Sequence, residues 1–110
     1  MVSNSIAFLD QYQRIWREPY ERPHLMRVMA KKVDLEKEPI RFDEEIFVTK
    51  LILQISMVHR AIRHGELMGY EGLPQEVREF FPLPIPKIVW EKIKKFQDRE
   101  FIEFIERALK

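Results

Sequence analysis

D-E-E-I-F-V-T-K-L-I-L-Q-I-S-M-V-H-R-A-I-R-H-G-E-L, Asp43 to Leu67, is the stretch that decides the fold. It lies in the longest proline-free part of the chain and is its most apolar segment. Ile46, Phe47, Val48, Leu51, Ile52, Leu53, Ile55, Met57, Val58, Ala61 and Ile62 fall almost all the way round a helix, and such a helix is normally buried. Its length is near the ~20 residues needed to cross a bilayer, but Lys50, Gln54, Ser56, His59 and Arg60 interrupt it. The expectation is the central helix of a small soluble protein, with Leu53 in the core and no membrane contact.

The ends of this helix carry their own signals. Asp43 suits the N-cap, Glu44 and Glu45 suit the positive end of the dipole, and Phe42 is placed to staple onto Phe47. His59, Arg60, Arg63 and His64 suit the negative end, with Gly65 or Gly69 to stop the helix.

Ser3 or Ser5 caps a first helix running to about Glu18, where Pro19 ends it; Phe8, Leu9, Tyr12, Ile15 and Trp16 form its apolar side. Asp10 and Arg14 make a surface pair at i,i+4. Pro23 opens a second helix that fades near Leu35, and Glu36 to Phe42 connects it to the central one. The three glycines, Gly65, Gly69 and Gly72, gather in a turn-rich segment with Met68, Tyr70 and Leu73. Pro74 to Phe81 gives one or two helical turns carrying Val77 and Phe80.

Pro82, Pro84 and Pro86 make an extended piece, and Pro86 opens a helix with Val89, Trp90, Ile93 and Phe96 inward. Asp98 caps the last helix, whose apolar face is Phe101, Ile102, Phe104, Ile105, Ala108 and Leu109. No strand pattern or internal repeat stands out. The 110 residues fit one all-α domain, residues 1–110: a bundle of about five helices around Asp43 to Leu67.

Composition excludes several classes of function. With 19 basic and 18 acidic residues the net charge is +1, so no global field draws the chain to nucleic acid or anionic lipid. Absence of cysteine removes disulfides, thiolate metal sites and cysteine nucleophiles. Met1 to Phe8 lacks a secretory pattern, which makes the cytoplasm the default expectation. His59 and His64 are too far apart around a helix to clasp one metal, His24 lies elsewhere, and no catalytic motif is present. Hence no catalytic residue, metal or cofactor is assigned.

The most concentrated basic group is His59, Arg60, Arg63 and His64, a candidate interaction patch for phosphate, acidic peptide or nucleic acid; as a solvated helix end it would need no partner at all. Lys92, Lys94 and Lys95 form a second group, but with Trp90 and Phe96 turned inward it offers bases nothing to stack on. Eight phenylalanines, two tryptophans and three tyrosines are ample for a small core, and any surplus would form an exposed patch of the kind that marks interfaces.

Three stretches carry a resemblance. Phe8-Leu9-Asp10-Gln11-Tyr12 through Ile15-Trp16, the apolar run Leu51 to Ile62, and Val89-Trp90-Glu91 followed by Phe96-Gln97-Asp98-Arg99-Glu100-Phe101 and Phe104-Ile105-Glu106 are the three. Together they resemble a family of short bacterial all-helical domains with no assigned function. The resemblance covers most of the chain, rests on packing motifs, and implies a helical fold without transferring any catalytic residue. Some relatives carry a membrane-spanning helix ahead of this domain, and the piece from Gly65 to Pro86 is particular to this sequence.

The functional expectation is a non-enzymatic protein-interaction or regulatory module, with a homodimer as one form of it. Two alternatives stay open: a nucleic-acid-associated accessory protein using the basic patch, and a small-ligand binder or enzyme with a pocket near Tyr70, Glu66 and His64.

Overall fold

A computed structural model describes residues 2–65 and 72–110, with the side chains of residues 2–9, 11 and 12 outside the description. The described residues form an all-α protein without strands. Its α-helices are α1 (Val2–Glu21), α2 (Phe42–Arg63), α3 (Leu73–Phe80), α4 (Pro84–Ile93) and α5 (Arg99–Leu109). Two 3-10 segments, Pro23–Met29 and Lys94–Phe96, join them.

α2 is the expected centre, with changed ends. Its N-cap is Arg41 rather than Asp43, because Glu44 at the third helical position reaches back and its Oε1 accepts from the Arg41 backbone N–H at 2.8 Å. This is the reciprocal half of a capping box, made without a capping serine or threonine. Asp43 instead takes His24 Nε2 at 2.6 Å, and Phe42 stays in solvent rather than stapling onto Phe47. The helix stops at Arg63, and Gly65 at φ +74° supplies the left-handed residue that turns the chain away. Leu67, Met68, Gly69 and Tyr70 lie outside the described residues.

Other boundaries moved for local reasons. α1 runs through Pro19 to Glu21: the proline removes one backbone donor, that of residue 19 toward the Ile15 carbonyl, but the helix closes past it, the Arg22 N–H meeting the Glu18 carbonyl at 2.7 Å. The second element is a 3-10 turn ending at Met29, where Ala30 is extended, so no helix reaches Leu35. α4 opens at Pro84, before Pro86. Its first helical bond runs from the Lys87 N–H to the Leu83 carbonyl at 2.9 Å, so neither proline removes a donor that had an acceptor.

One contiguous core joins Leu25 and Val28, the α2 residues Phe47, Val48, Leu51 and Ile52, and side chains of the last three helices. Val77 and Phe80 are buried on α3 as expected. Edge-to-face rings link Phe81 to Trp90 at 5.2 Å and Trp90 to Phe101 at 5.7 Å, each such pair adding ~0.5–1.5 kcal/mol beyond area burial. With Phe101 beside Trp90, Phe96 is left outside, 76% exposed, with Lys95 Nζ 5.3 Å from its ring centre. That corrects its expected inward position.

The larger correction concerns α2 itself, which is not buried on every side. Phe42, Ile46, Leu53 and Met57 are 77%, 38%, 43% and 42% exposed. At ~100° per residue these four fall within about 60° of arc, and Lys50, Arg60 and His64 lie on the same side. Leu53 is therefore a surface residue, and an Asp there would not be placed in the core.

Candidate functional site

Two features of α2 are candidates for function: the basic residues of its last turns and the open apolar stripe. The first is held by α5. Asp98 caps α5, its Oδ1 accepting from the Phe101 N–H at 2.9 Å, and the same carboxylate faces Arg60 Nη2 at 3.4 Å and Arg63 Nη1 at 3.6 Å. Arg63 Nε also forms an ion pair with Glu100 Oε2 at 2.7 Å. The helix cap and both guanidiniums hold the Asp98 carboxyl below its ordinary range, the Phe101 N–H contributing most.

His59 belongs to this group by sequence but differs in setting. Its ring stacks on Phe104 at 4.4 Å and lies 5.8 Å from Phe101, and its Nδ1 is buried without a hydrogen-bond partner. Burial, then the neighbouring Arg63, pushes the imidazole below its usual value, so neutral His59 is favoured. His64 caps the C-terminus of α2 in solvent. The sequence therefore placed His59, Arg60, Arg63 and His64 on the same two turns, where Arg60 and Arg63 share Asp98 as counter-ion and His59 serves as a ring in an aromatic stack.

An open groove of about 520 Å³ runs along this contact, lined by His59, Ile62, Arg63, Glu100, Glu103 and Arg107. Its cations and carboxylates alternate, which suits a surface ion-pair network better than the capture of one strongly charged ligand. A smaller apolar recess of about 220 Å³ lies between Trp16, Met29, Leu51, Ile55 and Phe80, with Glu76 and Glu79 at its rim. Among the described residues, no three His, Cys, Asp or Glu side chains are placed to hold a metal. Tyr70 and Glu66, expected beside a pocket, lie outside the described residues. No helix among those described is long and apolar enough to cross a membrane.

At the other end of α2, a partly buried charge pair escaped the sequence reading. Glu44, 1% exposed, receives Arg27 Nε at 2.8 Å and Nη2 at 2.7 Å, a two-pronged ion pair that fixes the Pro23–Met29 turn to α2. Arg27 also donates to the carbonyls of Glu38 and Pro39 at 2.8 and 3.0 Å, which ties down the connection between the two elements. The Arg27 hydrogen bond is the main reason the Glu44 carboxyl titrates lower than usual. A signal was present: helical spacing puts Glu44 in line with Phe47, Val48 and Leu51, on the side that is buried.

The apolar stripe has clear borders. On one side Lys50 Nζ pairs with Glu18 of α1; on the other Lys92 Nζ of α4 meets Glu45 at 3.3 Å. Between these flanking ion pairs Phe42, Ile46, Leu53 and Met57 point outward along about 22 Å of helix, at ~1.5 Å per residue. Such a stripe has no hydrogen-bonding or titrating group with which to perform chemistry, but it is what a docking surface requires. Compared with protein-family models, curated proteins and solved structures, the chain matches none of them, so the likeness noted above stands on its packing motifs alone.

Proposed function

We propose that this protein is a non-enzymatic interaction module that binds a protein through the open face of α2. The observation that carries this reading is the stripe of two apolar pairs, Phe42 with Ile46 and Leu53 with Met57, aligned on one face between two ion-paired borders. Apolar groups aligned on one helix face cost solvation free energy when left in water, and a partner that covers them recovers it. Basic groups contribute less, because Arg60, Arg63, Lys92 and Lys94 already face carboxylates within the chain. The test is affinity purification from the source cells with wild-type and Leu53→Asp baits, each with and without nuclease. A stoichiometric protein that survives nuclease and disappears with Leu53→Asp is expected; identical companions on both baits would count against the reading.

Nucleic-acid binding is a second reading, and one observation favours it. Phe96 stands in solvent beside Lys95, an exposed ring next to a cation of the kind that stacks on unpaired bases. It predicts binding to single-stranded oligonucleotides that falls steeply with salt and is weakened by Phe96→Ala. No binding even at low salt would dispose of it.

A further inference from the structure

The residues of the open stripe are spaced symmetrically. Phe42, Ile46, Leu53 and Met57 are separated by four, seven and four residues, so the pattern is the same when the helix is traversed in either direction. When a helix face pairs antiparallel with its own copy about a two-fold axis, each residue meets its mirror position, so a pattern that reads the same both ways sets apolar side chains against apolar ones.

Resting on the interaction reading above, we infer that the occupant of the α2 face is a second copy of this chain, its α2 antiparallel to the first about a two-fold axis passing by Thr49 and Lys50. In that register Phe42 of each copy meets Met57 of the other, and Ile46 meets Leu53. All four apolar side chains of each copy gain a partner, whereas a parallel pairing places the axis along the helices and brings like-charged ends together. Antiparallel helices set their dipoles in opposition, and the acidic first turn with Asp43 and Glu45 points toward the end of the second copy that carries Arg60 and His64. Lys50, the cation nearest the axis among the described residues of this face, brings its own counter-ion in Glu18, so the two lysines do not meet as bare charges.

Size sets the strength. Four side chains and their borders from each copy give roughly 1,000 Å² of buried surface in total, the lower bound for a specific interface, so a dissociation constant on the order of micromolar is expected. Monomer and dimer then exchange with protein concentration.

The absence of cysteine makes the register directly measurable. Ile46→Cys and Leu53→Cys are prepared singly and mixed under mild oxidation, while sedimentation equilibrium follows the wild type from low micromolar to near-millimolar concentration. A mass rising from monomer to dimer is expected, with a disulfide forming between Ile46→Cys and Leu53→Cys chains in preference to either homodimer. Leu53→Asp should weaken association by about 30-fold or more with its circular dichroism unchanged, and Met57→Lys should act likewise. Monomer at every concentration overturns the inference, as does a dimer in which the two cysteine variants do not cross-link preferentially with each other. A monomer that nevertheless binds a different protein, with binding lost in Leu53→Asp, overturns self-pairing while leaving the interaction module standing. Loss of both would remove the two readings together.

Discussion

One side of α2 holds Phe47, Val48, Leu51 and Ile52 under the rest of the molecule, and the opposite side holds Phe42, Ile46, Leu53 and Met57 against solvent. The two sets are chemically alike. What differs is what lies across from them: α1, the Pro23–Met29 turn, α4 and α5 on one side, and none of the described elements on the other. Apolar character therefore says that a side chain prefers cover, while topology decides whether the cover comes from the same chain.

The comparison is broken most forcefully from the buried side. Phe47→Ala should cost about 3–5 kcal/mol by lost transfer energy and the cavity it leaves, whereas Leu53→Ala should stay within about 0.5 kcal/mol when measured by urea denaturation at low concentration. Equal losses at the two positions would erase the distinction between the faces. On the same buried side, Arg27→Met should cost about 3–5 kcal/mol, because it strands the Glu44 carboxylate without its partner. Adding Glu44→Leu should restore much of that loss; if the double variant were as unstable as the single, the stranded charge would not be the cause.

Acid sharpens the same point. The folded Glu44 carboxyl lies below the ordinary value of 4.5, so its contribution is complete above pH 4.5 and is lost as pH falls through the lower, folded value. Glu44→Gln should show a shallower acid unfolding slope than the wild type, and an unchanged slope would place the acid sensitivity elsewhere.

Smaller effects belong to the α2–α5 contact. Asp98→Ala removes the cap of α5 and should cost about 1 kcal/mol, with Asp98→Asn recovering part of it because an amide oxygen can still accept from Phe101. His59 gives the weakest signal and the most diagnostic sign. Burial lowers its folded value below 6.5, so the unfolded chain takes up the proton first, and stability declines as pH falls below 6.5 before levelling once the folded imidazole also protonates. Urea midpoints at about pH 5 and about pH 7.5 should differ less in His59→Leu than in the wild type; an equal difference in both would assign the slope to other groups.

Much of this architecture could be read from residues one at a time. Asp98 followed by a helix with Phe101 and Ile105 on one face, Asp10 facing Arg14 at 2.9 Å, and Pro74 opening a short helix are local features, and local physics places them. Boundaries near proline were harder: Pro84 sits in a first turn, where the missing donor had no acceptor, whereas α1 passes through Pro19 at the loss of one backbone bond. The open face of α2 was the least legible. Glu44, Gln54 and Ser56 are buried while Phe42, Ile46, Leu53 and Met57 are not, so hydropathy around this helix runs opposite to burial at seven positions. Charge offered the better clue: Lys50, Arg60 and His64 all share the open side. For the basic group, sequence could place His59, Arg60, Arg63 and His64 on one end of α2 but not the carboxylates of α5 that meet the two arginines, because that contact spans 38 residues between Arg60 and Asp98.

The most direct test of the account is thermal unfolding of Leu53→Asp beside Ile52→Asp, two adjacent residues given the same new charge, at a concentration low enough to keep the protein monomeric. The account predicts that Leu53→Asp melts cooperatively within a few degrees of the wild type, while Ile52→Asp loses its cooperative transition. A Leu53→Asp variant that unfolds like Ile52→Asp would show that α2 is covered on both sides and has no open face with which to bind a partner.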